Sequence, residues 1–118
     1  MRDFSDDLKE VRRRLDEAGG YLKVDEARGR LSELEAEMGR PDLWDNADEA
    51  KALTAEYANV RDDLATYDSL AQQLEDSEVL HEMAREEDDE SQEPEIDGAI
   101  TSLTKSLDLL DMRSLFTG

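Results

Sequence analysis

A run of apolar residues at alternating steps of three and four occupies the middle of the chain. Such spacing places one apolar stripe along an α-helix, and a helix of this kind must bury its stripe against other helices. The stripe consists of Ala50, Leu53, Tyr57, Val60, Leu64, Tyr67, Ala71 and Leu74. Asn46 is a suitable N-cap, and Glu49 three residues later predicts a capping box. The sequence therefore predicts a long helix that begins at about residue 46.

The apolar stripe changes phase near Asp76 and Ser77. Continued spacing would place Glu78 and His81 at the next buried positions, and both side chains are polar. Apolar residues resume out of phase, at Val79, Leu80 and Met83. A stutter or kink near Asp76-Ser77 is the simplest explanation, within a helix that ends at about residue 86.

Two shorter helices are predicted before the long one. The first has its apolar stripe at Phe4, Leu8, Val11, Leu15 and Ala18, and the second at Val24, Ala27, Leu31, Leu34 and Met38. Gly19-Gly20 predicts the end of the first helix, since glycine is common just after a helix C-terminus. Asp25 is the expected N-cap of the second helix, and Gly39 followed by Pro41 is expected to end it.

A last helix is predicted after the charged segment REEDDESQEPE, which contains no apolar residue. It extends from about Pro94 to about Arg113, with its stripe at Ile96, Ile100, Leu103, Leu107 and Leu110. Alternating strand patterns and hairpin turns are missing. The predicted fold class is all-α: an elongated antiparallel helical hairpin or bundle of three to four helices with coiled-coil-like packing. Residues 1-118 are expected to form a single α-helical domain.

The strong negative charge limits the classes of binding partner. Asp and Glu total 33 against 14 Lys and Arg, which gives a formal net charge of −19. Such a surface repels nucleic acid, whose binding depends on Lys and Arg neutralising phosphates. Little direct nucleic-acid binding is therefore expected, and a basic protein surface is a better match, unless the charge only keeps the chain soluble. Crowded like charges also predict stabilisation by mild acid, near pH 5, if repulsion raises the carboxylate pKa values on folding.

No enzyme, cofactor or metal site is predicted. Cysteine is absent, which excludes thiol nucleophiles and zinc–thiolate sites. His81 is the only histidine and has no recognisable catalytic partner, while the acidic run from Glu86 to Glu90 lacks the ligand spacing and glycine of a calcium loop. No stretch resembles a signal peptide or membrane span, so we expect a cytoplasmic protein with no membrane partner.

The only basic cluster is Arg12, Arg13 and Arg14. Consecutive helical residues point in different directions, so at least one of the three lies beside the first apolar stripe. One interpretation is pairing with nearby acids such as Asp16 and Glu17 at helical spacing. The other is a partner-binding site in which an arginine contacts a phosphate or carboxylate.

The connector GRPDLWDN carries the chain's only tryptophan. Pro41 begins a short turn, and Leu43 and Trp44 are expected to pack back onto the flanking helices as a structural staple that fixes their angle. A tryptophan can bury up to about 250 Å², which matters in a thin helical pair. The alternative is that Trp44 is exposed and anchors a partner.

Three segments of the sequence carry a family resemblance. They are RLSELEAEMGRPDLWDN, the part of the long helix that reads YDSLAQQLEDSEVLHEMAREEDDE, and the closing LDLLDMRSLFTG. Together and in this order they resemble the N-terminal domain of bacterial class I peptide chain release factors, factor 2 more than factor 1. The most specific part is Leu34-Glu35-Ala36-Glu37 leading to Pro41-Asp42-Leu43-Trp44-Asp45.

This resemblance implies a domain that acts in translation termination. Such a domain docks at the stalk base of the large ribosomal subunit and cooperates with the class II release factor GTPase. The family's codon-reading Ser-Pro-Phe and its Gly-Gly-Gln loop are both missing here, so the chain resembles one domain of a larger protein and no catalytic residue carries over. A generic acidic coiled-coil adaptor is the alternative. Homodimer formation stays open.

Overall fold

The computed structural model describes residues 1 to 117, with no side-chain description at residue 117. Its α-helices are α1 (Ser5–Tyr21), α2 (Val24–Met38), α3 (Ala47–Glu87) and α4 (Glu93–Thr117). Short 3₁₀ turns at Leu43–Asp45 and Glu90–Gln92 precede α3 and α4. Residues 1 to 117 contain no strand, and the predicted all-α fold class with four helices is confirmed.

The helices form two compact units. The first contains Met1–Tyr21 and the chain from Tyr67 onward, and the second is Leu22–Thr66. The long helix α3 therefore contributes its N-terminal half to the second unit and its C-terminal half to the first. The expectation of a single domain over residues 1-118 stays a prediction.

In the first unit, α1 runs antiparallel to the C-terminal half of α3. Phe4 near the start of α1 contacts His81, and Gly19 near its end lies against Tyr67. Helix α1 also runs parallel to α4, because Arg14 in the second half of α1 pairs with Asp111 in the second half of α4. The buried apolar side chains shared by these helices are Phe4, Leu8, Val11, Leu15, Ala18, Leu70, Leu74, Ala84, Ile96, Leu103, Leu107 and Leu110. The predicted stripes of the first and last helices thus supply most of this core.

The second unit pairs α2 with the N-terminal half of α3 in antiparallel orientation. Arg30 of α2 forms two hydrogen bonds with the Glu56 carboxylate, at 2.6 and 2.7 Å. Arg40, after α2, reaches Glu49 near the start of α3 at 2.7 Å. The buried apolar residues here are Val24, Leu34, Leu43, Ala50 and Leu64. Two guanidinium–carboxylate contacts therefore fix the register that this small core alone would leave loose.

The predicted start of α3 is confirmed in part. Asn46 Oδ1 accepts a hydrogen bond from the Glu49 backbone N–H at 3.1 Å, as an N-cap should. The Glu49 carboxylate, however, accepts from Arg40 rather than returning to Asn46. Only one half of the capping box forms, because the Asn46 backbone N–H donates to the Leu43 carbonyl at 3.0 Å.

Gly19-Gly20 does not end the first helix, and that prediction is wrong. The helix continues through both glycines to Tyr21. A Cβ atom at Gly19 would lie 3.2 Å from the Tyr67 hydroxyl oxygen, closer than carbon and oxygen normally pack. The glycine at this position thus allows α3 to approach α1 closely, which is a packing role rather than a stop signal.

The turn between α1 and α2 instead centres on Lys23, whose φ is 53°. This left-handed conformation is unusual for a residue with a side chain. Lys23 occupies the N-cap position of α2, and no side chain caps the helix there. The prediction that Asp25 caps α2 is therefore wrong. Asp25 lies inside the first turn, where its negative charge still suits the positive end of the helix dipole.

The predicted change of phase near Asp76-Ser77 is also wrong. The helix α3 is continuous, and its buried positions keep their spacing at Leu70, Leu74, Ser77, His81 and Ala84. Val79 and Met83, expected to resume the stripe, are 51% and 57% exposed.

Hydrogen bonds explain why polar residues occupy buried positions in α3. The Ser77 hydroxyl donates to the Gln73 carbonyl at 2.8 Å. The His81 Nε2 accepts from the Phe4 backbone N–H at 3.0 Å, and the His81 ring meets the Phe4 ring edge to face. A buried polar group costs little when its hydrogen bond is made inside the core, so the stripe crosses these positions without a break.

Many carboxylates are paired with cations, and this reverses the expected effect of acid. The Arg14 hydrogen bond lowers the pKa of Asp111, and the Arg30 hydrogen bond lowers that of Glu56. Hydrogen bonds from Ser5 lower the pKa of Asp3. At these three carboxylates the native state therefore holds fewer protons than the unfolded chain at mildly acidic pH. The expectation of raised pKa values at these carboxylates is wrong, because local pairing outweighs the general repulsion.

We expect acid to destabilise the chain. Lowered native pKa values contribute stability at neutral pH that is lost progressively between about pH 5 and about pH 2 as carboxylates are protonated. Chemical denaturation across that range should show a falling free energy of unfolding. Asp111→Asn, which removes one of the lowered carboxylates, should flatten the slope. A free energy that rises towards pH 3 would show instead that charge repulsion dominates.

We expect His81→Ala to lower the free energy of unfolding by about 1–3 kcal/mol, because it leaves the Phe4 N–H buried without an acceptor. Thermal or urea denaturation followed by circular dichroism measures the change. The matched control is Glu82→Ala at the exposed neighbouring position, which should stay within about 0.5 kcal/mol. Equal stability of the two variants would contradict a structural role for His81.

Candidate functional site

The arginine cluster lies on α1 in the first unit, and two of its three members bind other helices. Arg12 donates to Glu78 of α3 at 2.5 Å, and this hydrogen bond raises the pKa of Arg12. Arg14 is 17% exposed and pairs with Asp108 and Asp111 of α4 at 2.8 and 2.7 Å. Both guanidinium groups therefore connect α1 to its neighbours.

Tyr21 completes the contact around Asp111. Its hydroxyl donates to the Asp111 carboxylate at 2.9 Å, beside the Arg14 guanidinium. Burial together with this hydrogen bond raises the pKa of Tyr21 to about 12. A carboxylate held by two donors is well satisfied, so Arg14 has little freedom to turn towards a partner.

Arg13 is the most exposed member of the cluster, at 58%. It pairs with Glu10 and Glu17 of its own helix at 2.7 and 3.1 Å, and the Glu10 hydrogen bond is the main reason that its pKa is raised. Of the expected local partners, Glu17 is found. A phosphate would have to compete with two carboxylates at Arg13, and partner binding by Arg12, Arg13 and Arg14 stays a prediction.

The connector places its two large apolar residues in opposite environments. Leu43 is fully buried, as expected, whereas Trp44 is 61% exposed. The prediction that Trp44 packs back onto the helices is therefore wrong. The two residues are neighbours in a 3₁₀ turn, where consecutive side chains diverge by about 120°, so only one of them can enter the core. Pro41 is exposed.

Trp44 borders an open groove of ≈ 610 Å³ in the second unit. The other residues lining this groove are mostly small and lie along the start of α3: Ala47, Ala50, Lys51, Thr54, Ala55 and Ala58. Small side chains beside an exposed aromatic ring can accept an apolar side chain. The sequence signal for this groove was the alanine-rich start of α3, of which the sequence analysis used only Ala50, as part of the apolar stripe.

Two further sets of exposed apolar side chains lie in the first unit. Val79 and Met83 are on α3, one helical turn apart. The other set is at the end of α4 and consists of Leu109, Met112, Leu115 and Phe116. Sequence reasoning missed both sets. It assigned Val79 and Met83 to the core, and it ended the last helix at about Arg113, before Leu115 and Phe116.

The acidic run from Glu86 to Glu90 includes the last two residues of α3 and the start of the link to α4. Asp88 adopts the left-handed conformation with φ 51° just after α3, and Asp89 Oδ1 accepts from the Ser91 backbone N–H at 3.1 Å. These acids thus have local backbone roles in the turn. Over residues 1 to 117 no group of three or more potential ligands is arranged to hold a metal ion. In the same range no helix is long and apolar enough to cross a membrane.

Truncation of the two connector residues should have unequal effects. We expect Leu43→Ala to lower the free energy of unfolding by about 2–5 kcal/mol, as for other buried leucines. Trp44→Ala should cost less, because most of the indole is already in water. Denaturant titrations of the two variants measure the difference. A loss at Trp44 as large as that at Leu43 would restore the staple interpretation.

Comparison with known proteins agrees with the resemblance found in the sequence. The model of the PCRF domain matches residues 27–117. The chain is 35% identical over 116 residues to peptide chain release factor 2 of Saccharopolyspora erythraea, covering 98% of this chain and 32% of that protein. It is 36% identical over 111 residues to peptide chain release factor 2 of Proteus mirabilis, covering 94% of this chain and 30% of that protein.

A third relative, peptide chain release factor 2 of Streptomyces avermitilis, is 29% identical over 116 residues, covering 98% of this chain and 32% of that protein. The chain thus spans about a third of the length of these relatives. The family match includes α3, α4 and most of α2. The chain therefore belongs to the PCRF domain family, and these three relatives are peptide chain release factor 2 proteins.

Proposed function

We propose that the chain acts in translation termination as the helical domain of a stop-codon-reading peptide chain release factor. The observation that carries this proposal is the match of the PCRF domain over residues 27–117, together with the similarity to peptide chain release factor 2 of Saccharopolyspora erythraea and of Proteus mirabilis. The chain spans about a third of those relatives, so the proposal assigns it a part of the process and not the whole.

The proposed part is docking. The family resemblance suggests the stalk base of the large ribosomal subunit as the place, and the class II release factor GTPase as a cooperating partner. The net charge of −19 supports proteins of the stalk base as the direct contacts, because basic proteins attract such a surface while ribosomal RNA repels it. Arg13 is the member of the basic cluster best placed for an RNA phosphate, since it alone is more than half exposed.

We assign codon reading and peptide release to regions of release factor proteins that contain the Ser-Pro-Phe and Gly-Gly-Gln motifs. The sequence contains neither Ser-Pro-Phe nor Gly-Gly-Gln. The Nε2 atom of its single histidine, His81, accepts a hydrogen bond from the Phe4 backbone N–H and is therefore not free to act as a catalytic base. Binding without catalysis is therefore the proposed role. The generic acidic adaptor is the competing function.

We expect the chain to bind purified large ribosomal subunits weakly and to compete there with a full-length release factor 2. The binding should weaken with added salt, because exposed charge pairs are screened beyond about 8 Å at physiological ionic strength. It should be weak because an isolated domain loses the effective concentration that tethering to other domains provides. Sedimentation with subunits, followed by crosslinking, measures both affinity and place.

The basic cluster is best tested with Arg13→Ala alone, because changing Arg12 or Arg14 would also break contacts between helices. The matched control is Arg61→Ala, an arginine of similar exposure (55%) in the second unit. A selective loss with Arg13→Ala supports a phosphate contact, and equal binding of the two variants confines the contact to protein. If saturating chain neither crosslinks to the stalk base nor competes with the full-length factor, the docking proposal is wrong and the adaptor function gains support.

A further inference from the structure

The outward side of α3 in the first unit carries an apolar pair that nothing in residues 1 to 117 covers. Val79 and Met83 are 51% and 57% exposed. They lie four residues apart, so their side chains are neighbours on one face of the helix. That face is opposite the buried positions Leu74, Ser77 and His81. We call Val79 and Met83, with the carboxylates described next, the outer α3 surface.

Exposed carboxylates border the apolar pair on both sides. At 100° per residue, Glu75, Glu82 and Glu86 lie along one side, and Asp76 and Glu87 along the other. Within residues 1 to 117, Asp76 accepts only from the Gln72 amide, and the four glutamates form neither an ion pair nor a hydrogen bond. Many acids elsewhere in the chain, by contrast, do form ion pairs with arginine. They include Asp7, Glu10, Glu17, Glu33, Glu49, Glu56, Glu78, Asp108 and Asp111.

The arrangement is unfavourable for the chain on its own. Glu82 and Glu86 are like charges at i and i+4, which destabilises a helix. Glu86 and Glu87 also lie in the last turn of α3, where the partial negative charge of the helix end repels carboxylates. The basic residue of that turn is Arg85, whose guanidinium pairs with Asp3 at 3.1 Å. Two unfavourable electrostatic features therefore coincide beside two exposed apolar side chains.

We infer that the outer α3 surface binds a basic amphipathic helix of a partner protein. Apolar residues of that helix cover Val79 and Met83, and Lys or Arg residues on both sides of its apolar stripe pair with the bordering glutamates. Binding then removes apolar surface from water and relieves the repulsion within α3. A nucleic acid is a poor match, because its phosphates would meet carboxylates. The inference rests on the proposed function, for which it names the docking surface and the chemistry of the partner.

Charge selects this surface over the other exposed apolar regions. The end of α4 exposes Leu109 and Met112, but Lys105 lies one turn before Leu109 on the same side of the helix. The groove beside Trp44 contains Lys51 in its lining. A basic partner would meet a cation at either place. The outer α3 surface, by contrast, combines two exposed apolar side chains with four glutamates that form no ion pair within the described part of the chain.

The test uses the full chain and a fluorescently labelled synthetic helix with leucines at i and i+4 and lysines on both sides of them. Fluorescence anisotropy should show binding that weakens by about tenfold or more, roughly 1.4 kcal/mol, in Val79→Ser/Met83→Ser and in Glu82→Gln/Glu86→Gln. Two control variants make the same chemical changes elsewhere: Leu109→Ser/Met112→Ser on α4, and Glu26→Gln/Glu35→Gln on α2. All of these positions are exposed, so circular dichroism should show native helix content and a near-native melting temperature for each variant.

Controls that bind within about twofold of the original chain support the inference, since twofold is well below the effect expected at the surface itself. Equal losses in the control pairs, or equal binding of a peptide with scrambled order, would show general attraction between opposite charges and overturn it. Large subunits separate the two proposals. If the outer α3 variants bind subunits as well as the original chain does, the docking surface is wrong while the proposed function stands. If no form of the chain binds subunits but the peptide results hold, the proposed function fails and the surface remains.

Discussion

The unbroken buried stripe of α3 is the constraint on which the first unit depends. It continues through Ser77 and His81 only because both polar side chains form hydrogen bonds inside the structure, one to the helix itself and one to the Phe4 N–H of the neighbouring segment. Phe4 in turn is buried against the His81 ring and starts the packing of α1. A purely apolar residue in place of His81 would leave that N–H without a partner. The direction of α1 along α3 thus depends on a polar contact in an otherwise apolar core.

Charge pairing explains how a chain with a net charge of −19 forms compact helical units. The arginines are few, and most of those with described contacts join different helices or connect a helix to its flanking turn. Arg12 and Arg14 connect α1 to α3 and α4, and Arg30 connects α2 to α3. Arg12, Arg14 and Arg30 therefore lie where two helices approach each other, and each offsets repulsion between acidic side chains there. The surplus carboxylates remain on the outer faces, where water screens them.

The sequence predicted the helices well because their apolar spacing is strong, and the stripes of α1 and α4 are the ones buried. It failed where one residue type has two uses. Gly19 was interpreted as a stop, although the helix uses it for close approach to Tyr67. His81 was interpreted as a break in the stripe, although its hydrogen bond with Phe4 allows it to be buried, and this partner lies 77 residues away in the chain. Contacts between residues so distant in sequence leave no local pattern.

The candidate surfaces were harder to predict for the same reason. Hydrophobicity alone cannot say which of two adjacent apolar residues enters the core, so Leu43 and Trp44 received one interpretation although the turn separates them. Likewise, the sequence suggested pairing of the arginine cluster with acids of its own helix, whereas Arg12 and Arg14 pair with carboxylates on α3 and α4. The composition correctly identified the excess of acid, but only the three-dimensional pairing shows which carboxylates are neutralised and which remain without a cation.

Carboxylates without a cation would make binding by such a chain selective for basic protein surfaces over other surfaces. If the chain docks on a particle made of RNA and basic proteins, as proposed, long-range repulsion from phosphate would disfavour most encounters. A basic helix at the outer α3 surface would be attracted and would gain apolar contact with Val79 and Met83. Specificity then comes from rejection as much as from affinity. This proposal also explains the destabilising placement of Glu82, Glu86 and Glu87. A cationic partner would relieve the repulsion within the free chain, and this relief would increase the favourable free energy of binding.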